Sequence, residues 1–202
     1  VEAKIMNAKR SPLLLVSLAL LASLPALAGD ASSAEAAART RAEAAANALG
    51  STLKKALQAR LQGEGPLGAV DFCHQQAQPL TAQVAAEHGV RLGRIGVRLR
   101  NPDNAVGGWQ QAALEQMAAG YDPVAAVPAV SARRSADGAY LNYARAIRTE
   151  GPCLLCHGSN LSEELLAAIR GRYPEDAAIG FAAGDLRGLL WVEVPLAEIR
   201  DQ

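Results

Sequence analysis

Cys153-Leu154-Leu155-Cys156-His157 is the stretch that most limits how this chain can fold. Two cysteines separated by two residues, with a histidine directly after, read as the attachment motif of a covalent c-type haem. The spacing suits one helical turn, which carries both sulfurs to one porphyrin edge and the imidazole under the ring. The fold must therefore leave a slot beside that turn. A zinc site built on the same residues needs further ligands, and Cys73, His74 and His88 are the cysteine and histidines left to supply them. A thioredoxin-type redox pair is the other use of Cys-x-x-Cys. The motif occurs once, so the expected complement is one haem c.

The beginning of the chain agrees with that reading. Lys4, Lys9 and Arg10 precede an apolar run from Leu13 to Leu24, and Ala26-Leu27-Ala28 supplies a small-x-small pattern. Residues 1–28 are thus expected to be a signal peptide cleaved before Gly29, with a periplasmic destination. The run falls short of the ~20 residues of a comfortable membrane span, so no span is expected in the mature chain. Acidic and basic residues balance at 20 each, and loss of the segment tips the charge slightly acidic. No basic stripe suggests nucleic acid. Cys73 is left unpaired in an oxidising compartment, which calls for burial, an intermolecular disulfide or ligation to a metal.

Residues 29–64 read as an N-terminal helical segment. The Ala-rich stretch from Ser33 to about Gln62 is helix-favouring, with Ser32 or Ser33 as N-cap. Leu49, Leu53, Leu57 and Leu61 repeat at i, i+4, a stripe suited to the chain's own domain or to a second copy. Gly63 to Pro66 breaks the helix, and residues 65–202 read as one domain. A second helix runs from Leu67 to His88, closed by Gly89. It puts Val70, Cys73, Ala77, Leu80 and Val84 on one face, and Pro79 predicts a kink. Arg91–Arg100 alternates as a strand, Trp109–Ala119 is a short helix, and Ala129–Arg133 and Ala139–Arg148 are strands around Asp137-Gly138. After the motif come a helix over Glu163–Arg170 and a final hairpin, Ile179–Ala182 with Gly188–Val194, turning at Gly184-Asp185. Together these predict an antiparallel α+β domain behind a long N-terminal helix.

Candidates for a sixth iron ligand opposite His157 are Cys73, His74, His88 and Met117. His74 lies ~100° round the helix from Cys73, off the apolar stripe, and His88 lies ~22 Å along it. Met117 shares an apolar face with Trp109 and Ala113, where methionine commonly fills core.

A series of blocks resembles one family. Phe72-Cys73 precedes Ala77-Gln78-Pro79, then come Arg98-Leu99-Arg100-Asn101-Pro102-Asp103-Asn104 and Trp109. The motif continues to Gly158, and Tyr173 to Phe181 and Gly184-Asp185-Leu186-Arg187-Gly188 follow. The order resembles single-haem c-type proteins with a PAS-like fold, a domain also found as the extracytoplasmic sensor region of signalling proteins. The resemblance covers roughly Leu67 to Pro195. It implies a PAS-like antiparallel sheet with flanking helices, and an iron held by His157 and Cys73. Gly107-Gly108 and Gln110 depart from the family pattern, in which proline and an acidic residue are expected.

A thiolate ligand carries a negative charge that favours ferric iron, so a low reduction potential is expected. Arg98 and Arg100 on one strand, and Arg187 in the last hairpin, are candidates to pair with haem propionates or to form a solvated face. No nucleophile–base set, phosphate loop or paired-carboxylate site emerges, so no enzymatic activity is expected. The reading is redox or diatomic-ligand sensing at haem, with a soluble electron carrier as the alternative. Either use calls for a redox or signalling partner protein, and a homodimer is a further possible arrangement.

Overall fold

The computed structural model describes Glu2 and residues 26–125 and 128–200, with backbone alone for residues 26–30 and for Arg200. Most of the expected signal segment lies outside the described residues. Helix α1 spans Ala26–His88 and is interrupted at one residue, Gly65, whose φ of 69° and ψ of −171° are not helical. A residue before proline is pushed out of the helical region, and proline fits the first turn of a new helix, so Gly65-Pro66 divides α1 into two arms. Ser32 and Ser33, expected as caps, lie inside the helix, which already includes Ala26. It keeps helical dihedrals through Pro79, where a kink was expected; Ala77 and Val84, both buried, hold the helix on either side. Gly89, at φ 58°, ends α1, and Val90 N–H donates back to the Ala85 carbonyl.

Four antiparallel strands follow: β1 (Arg91–Gly96), β2 (Val130–Arg134), β3 (Tyr140–Arg148) and β4 (Leu186–Pro195), in the order β1-β4-β3-β2. Between them lie helices α2 (Trp109–Ala119), α3 (Leu154–His157) and α4 (Glu163–Arg172), and α5 (Ala197–Arg200) follows β4. The architecture is α+β, as expected. Its core forms on both faces of the sheet, following the period of two along each strand. Leu141, Tyr143, Val192 and Val194 face the N-terminal arm of α1, where Ala38, Ala42, Ala45 and Ala46 let the helix come close and Leu49 fills the layer. Ala144, Ala146 and Leu189 face the other way, toward Leu114 and Met117 of α2. The N-terminal arm therefore packs on its own sheet. Met117 is core. Gln110 is buried beside Glu193, whose carboxylate also accepts from Trp109 Nε1 at 2.6 Å, so the amide there avoids a second buried carboxylate.

Two expected strands are corrected. The strand predicted over Arg91–Arg100 ends at Gly96, because Gly96 and Gly188 face one another where the backbones crowd. A Cβ at Gly188 would lie 2.0 Å from the Ile95 carbonyl oxygen, and its φ of 156° is rarely adopted by other residues. The chain then leaves the sheet and carries Arg98 to Asn101 toward the motif. We expect Gly188→Ala to destabilise the fold by about 3 kcal/mol or more, combining overpacking with backbone strain, as measured by urea unfolding. The final hairpin does not form either, since 179–182 is not a strand. Gly180, at φ 74°, cannot continue an extended run, and its N–H and that of Phe181 donate to the carbonyls of Gly158 and His157 instead.

Candidate haem-type site

The site draws on both arms of α1, on β1 and the loop leaving it, on the start of β4, and on the motif turn braced by residues 176–181. The motif begins in a 3-10 turn, Gly151–Cys153, and continues directly into α3. The single helical turn expected from the spacing is present. Gly158 closes it, packed so tightly that a Cβ there would lie 2.6 Å from the Leu154 carbonyl oxygen.

His157 is fixed by its own ring. Its Nδ1 lies 2.6 Å from the Ala178 carbonyl oxygen, which can only accept, so Nδ1 carries the proton and Nε2 keeps its lone pair. Phe181 meets the imidazole edge-on, with ring centroids 6.3 Å apart. Burial first, then the nearby cations Arg187 and Arg100, push the His157 pKa down to about 3, so the neutral, metal-binding form prevails.

Arg100 holds this arrangement. It grips Asp176 through two bonds of 3.1 Å, and its Nη2 also donates to the Cys156 carbonyl at 2.7 Å. The two side chains are only 12% and 4% exposed, so the pair is a buried one whose removal would leave a carboxylate uncompensated. Asp176 in turn accepts from Ala178 N–H at 2.9 Å, the residue that orients His157. Arg100, a candidate either for propionate pairing or for a solvated face, braces the motif here. Arg98 and Arg187 stack on Phe181, 4.0 and 4.9 Å from its centroid, and Arg187 Nη1 donates to the Arg98 carbonyl. Burial, then repulsion from Arg100 and Arg94, lowers the Arg187 pKa to about 10.

Cys73, Cys153, Cys156 and His157 line one cavity of ≈ 270 Å³ together with Arg98, Arg100 and Arg187. Every site residue expected from sequence is therefore brought to one place. All three cysteines are free, and burial raises the Cys73 and Cys156 thiols above their usual range, with Arg94 acting oppositely on Cys73. The other candidate ligands are elsewhere. His74 is exposed and packs edge-on against Tyr173, His88 ends α1, and Met117 is buried under the sheet. Among the described residues no three of His, Cys, Asp and Glu gather closely enough to hold a bare metal ion, so the zinc arrangement is not formed.

Sequence reasoning missed several members. Leu57 and Leu61, read as packing, line the cavity, as do Tyr173 and Arg94. The i, i+4 series marked the two leucines as facing inward, but nothing in the spacing separated cavity from core.

The sequence model of the Tll0287-like family matches residues 30–195, a span that takes in both the N-terminal arm and the cavity. This chain belongs to the Tll0287-like family. No curated protein matches it. Among solved structures, the crystal structure of the cyanobacterial heme-protein Tll0287 is similar at 25% identity and a TM-score of 0.49, covering 71% of this chain and 91% of that one. In this Tll0287-like protein the donors suit a haem on their own chemistry. Two free thiols one helical turn apart and a neutral imidazole with Nε2 unprotonated are what thioether attachment and axial ligation require. The cavity lining also carries four arginines and no carboxylate among the described residues, a charge balance fitted to an anionic guest.

Proposed function

We propose that this protein is an exported c-type haem protein with one covalent haem, held by Cys153 and Cys156 and ligated by His157 and Cys73, which senses redox state or a diatomic ligand. The observation that carries the reading is the convergence of those four side chains on one cavity. When bound, the haem would supply one-electron chemistry and a site for small ligands. The chain supplies the rest. Ala178 fixes the imidazole tautomer, the Arg100–Asp176 pair braces the turn, and Leu57, Leu61 and Val70 give the cavity an apolar wall.

What favours sensing over simple electron transfer is where Cys73 sits. It lies on the C-terminal arm of α1, and that helix also packs against the sheet and α4. Release of the sulfur would free an element tied to most of the fold. The alternative, a low-potential electron carrier, keeps both ligands at every potential. Among the described residues no helix is long and apolar enough to cross a membrane. Either use calls for a redox or signalling partner protein. We assign no enzymatic activity.

The test is a reductive titration under CO of protein produced with c-type haem maturation. CO should bind the ferrous state alone, with loss of amide protection in residues 66–88. Exclusion of CO at every potential would overturn sensing and support the carrier. The intact mass of the exported protein should correspond to a chain beginning at Gly29 with one haem.

A further inference from the structure

Gln78 and Asn104 stand in the cavity wall, and neither has a part in the motif turn or in the proposed iron ligation. Gln78 lies on the C-terminal arm of α1, beyond Cys73 and about 7.5 Å further along the helix axis. Asn104 closes the 3-10 turn Pro102–Asn104 in the loop leaving β1. Gln78 Nε2 donates to Asn104 Oδ1 at 3.0 Å, a half-buried bond between two elements. The loop end of this bond is rigid. Asn101 Oδ1 accepts from Asp103 N–H at 3.0 Å, and Arg100 of the same loop is held by Asp176 and the Cys156 carbonyl.

The helix end is not. Among the described residues, three hydrogen bonds involving side chains tie residues 66–88 to other elements. Two lie toward the ends of the arm: Arg172 Nε donates to Asp71 at 2.7 Å, and Arg41 Nε to the His88 carbonyl at 2.7 Å. The third is the Gln78–Asn104 pair. Apolar anchors are spaced in the same way. Val70 packs with α4 and Val84 with the sheet, and between them Ala77 is the one apolar side chain that is buried. Pro79 has no N–H, so the Gln75 carbonyl lacks its helical partner here. The middle of the arm, which carries Cys73, is therefore its least anchored part.

We propose that Gln78 and Asn104 form a clasp: positioning residues that keep the middle of the arm closed over the cavity and set how readily it opens to a small ligand. The inference rests on the haem-sensor reading above. An amide pair suits the task. It is uncharged, and its net worth is small because both groups exchange one partner for water when they part. The closed arrangement is thus favoured without being locked, and the open one stays within reach. Opening bends the arm where Pro79 already costs it a bond, while Asp71 and His88 remain tied. Cys73 lies on the stretch that moves.

The proposal is tested on the haem-loaded protein by stopped-flow CO binding to the ferrous state and by amide exchange of the same samples. Gln78→Met and Asn104→Leu nearly keep size and remove the bond. Each should speed CO association about fivefold, the factor given by the net loss of one hydrogen bond. The double variant should add nothing further, since both single changes remove the same interaction. Asn104→Asp leaves an oxygen for Gln78 to donate to, and should stay within about twofold of the parent. Amide exchange should rise by a similar factor in residues 73–82 and stay unchanged in β3. Additive rates in the double variant would overturn the clasp, as would exchange raised equally in β3 or an Asn104→Asp rate matching that of Asn104→Leu. Parent rates in both single variants would overturn it too. If Asn104→Leu fails to take up haem, Gln78→Met decides alone, and a parent rate there would overturn the clasp. CO excluded from parent and variants alike would overturn the sensing reading by itself. Amide exchange then judges the clasp, and no rise in residues 73–82 would overturn it.

Discussion

Replacing Cys153 and Cys156 together by alanine is expected to abolish covalent haem retention. The haem-stained band on a denaturing gel should vanish, and acid–acetone should extract all remaining haem. Each single variant should keep one thioether and part of the stain. The size of the effect follows from the geometry. The two thiols sit at consecutive ends of one turn, Cys153 closing the 3-10 segment and Cys156 inside α3, and both line the cavity. No other cysteine except Cys73 lies there, and Cys73 comes from α1. His157 would still be oriented by Ala178, so a non-covalent haem has a ligand in the double variant, but it is held by a reversible bond alone. Loss of the haem also removes its buried contacts and its ligation from the native state, so the melting temperature of the purified double variant should fall. Haem surviving denaturation in that variant would sink the c-type assignment.

The turn that carries Cys153, Cys156 and His157 was legible because its spacing suits one helical turn, and such spacing survives in sequence alone. The inward face of Val70, Cys73 and Ala77 was legible for a related reason: helical period exposes it whatever the helix packs against. The strand end at Gly96 was not. It depends on a close approach to Gly188, nearly a hundred residues away, and alternation through Arg100 gave no hint of that crowding. The false hairpin has the same origin. Ile179 to Ala182 is apolar enough for a strand, yet its backbone donors are drawn to the carbonyls of the motif turn, a tertiary partner that local pattern does not encode. Arginine roles were the least legible. Charge and position on the strand were visible, but which guanidinium meets Asp176 and which stacks on Phe181 is decided by where the chain turns after Gly96.

Cys73→Ala is expected to raise the reduction potential and erase the low-spin thiolate signal of the ferric protein. A negative sulfur on the iron stabilises the ferric over the ferrous state. If that preference is ~4 kcal/mol, its loss moves the potential up by ~170 mV, since 1.4 kcal/mol corresponds to 59 mV for one electron. Truncation to alanine removes little packing, because Cys73 is half-buried at the cavity wall while its neighbours Val70 and Ala77 carry the buried face of the helix. The fold should therefore survive, and the change should be confined to the iron. Potentiometry and EPR on parent and variant, matured side by side, give both numbers. His74 is exposed against Tyr173 and Met117 lies under the sheet, so neither can replace the lost sulfur without rearrangement of α1 or α2. The variant should consequently open a coordination position, and ferric as well as ferrous protein should then bind small exogenous ligands. A spectrum and a potential that stay where the parent's are would remove Cys73 from the iron, and with it the physical basis for a ligand-exchange sensor.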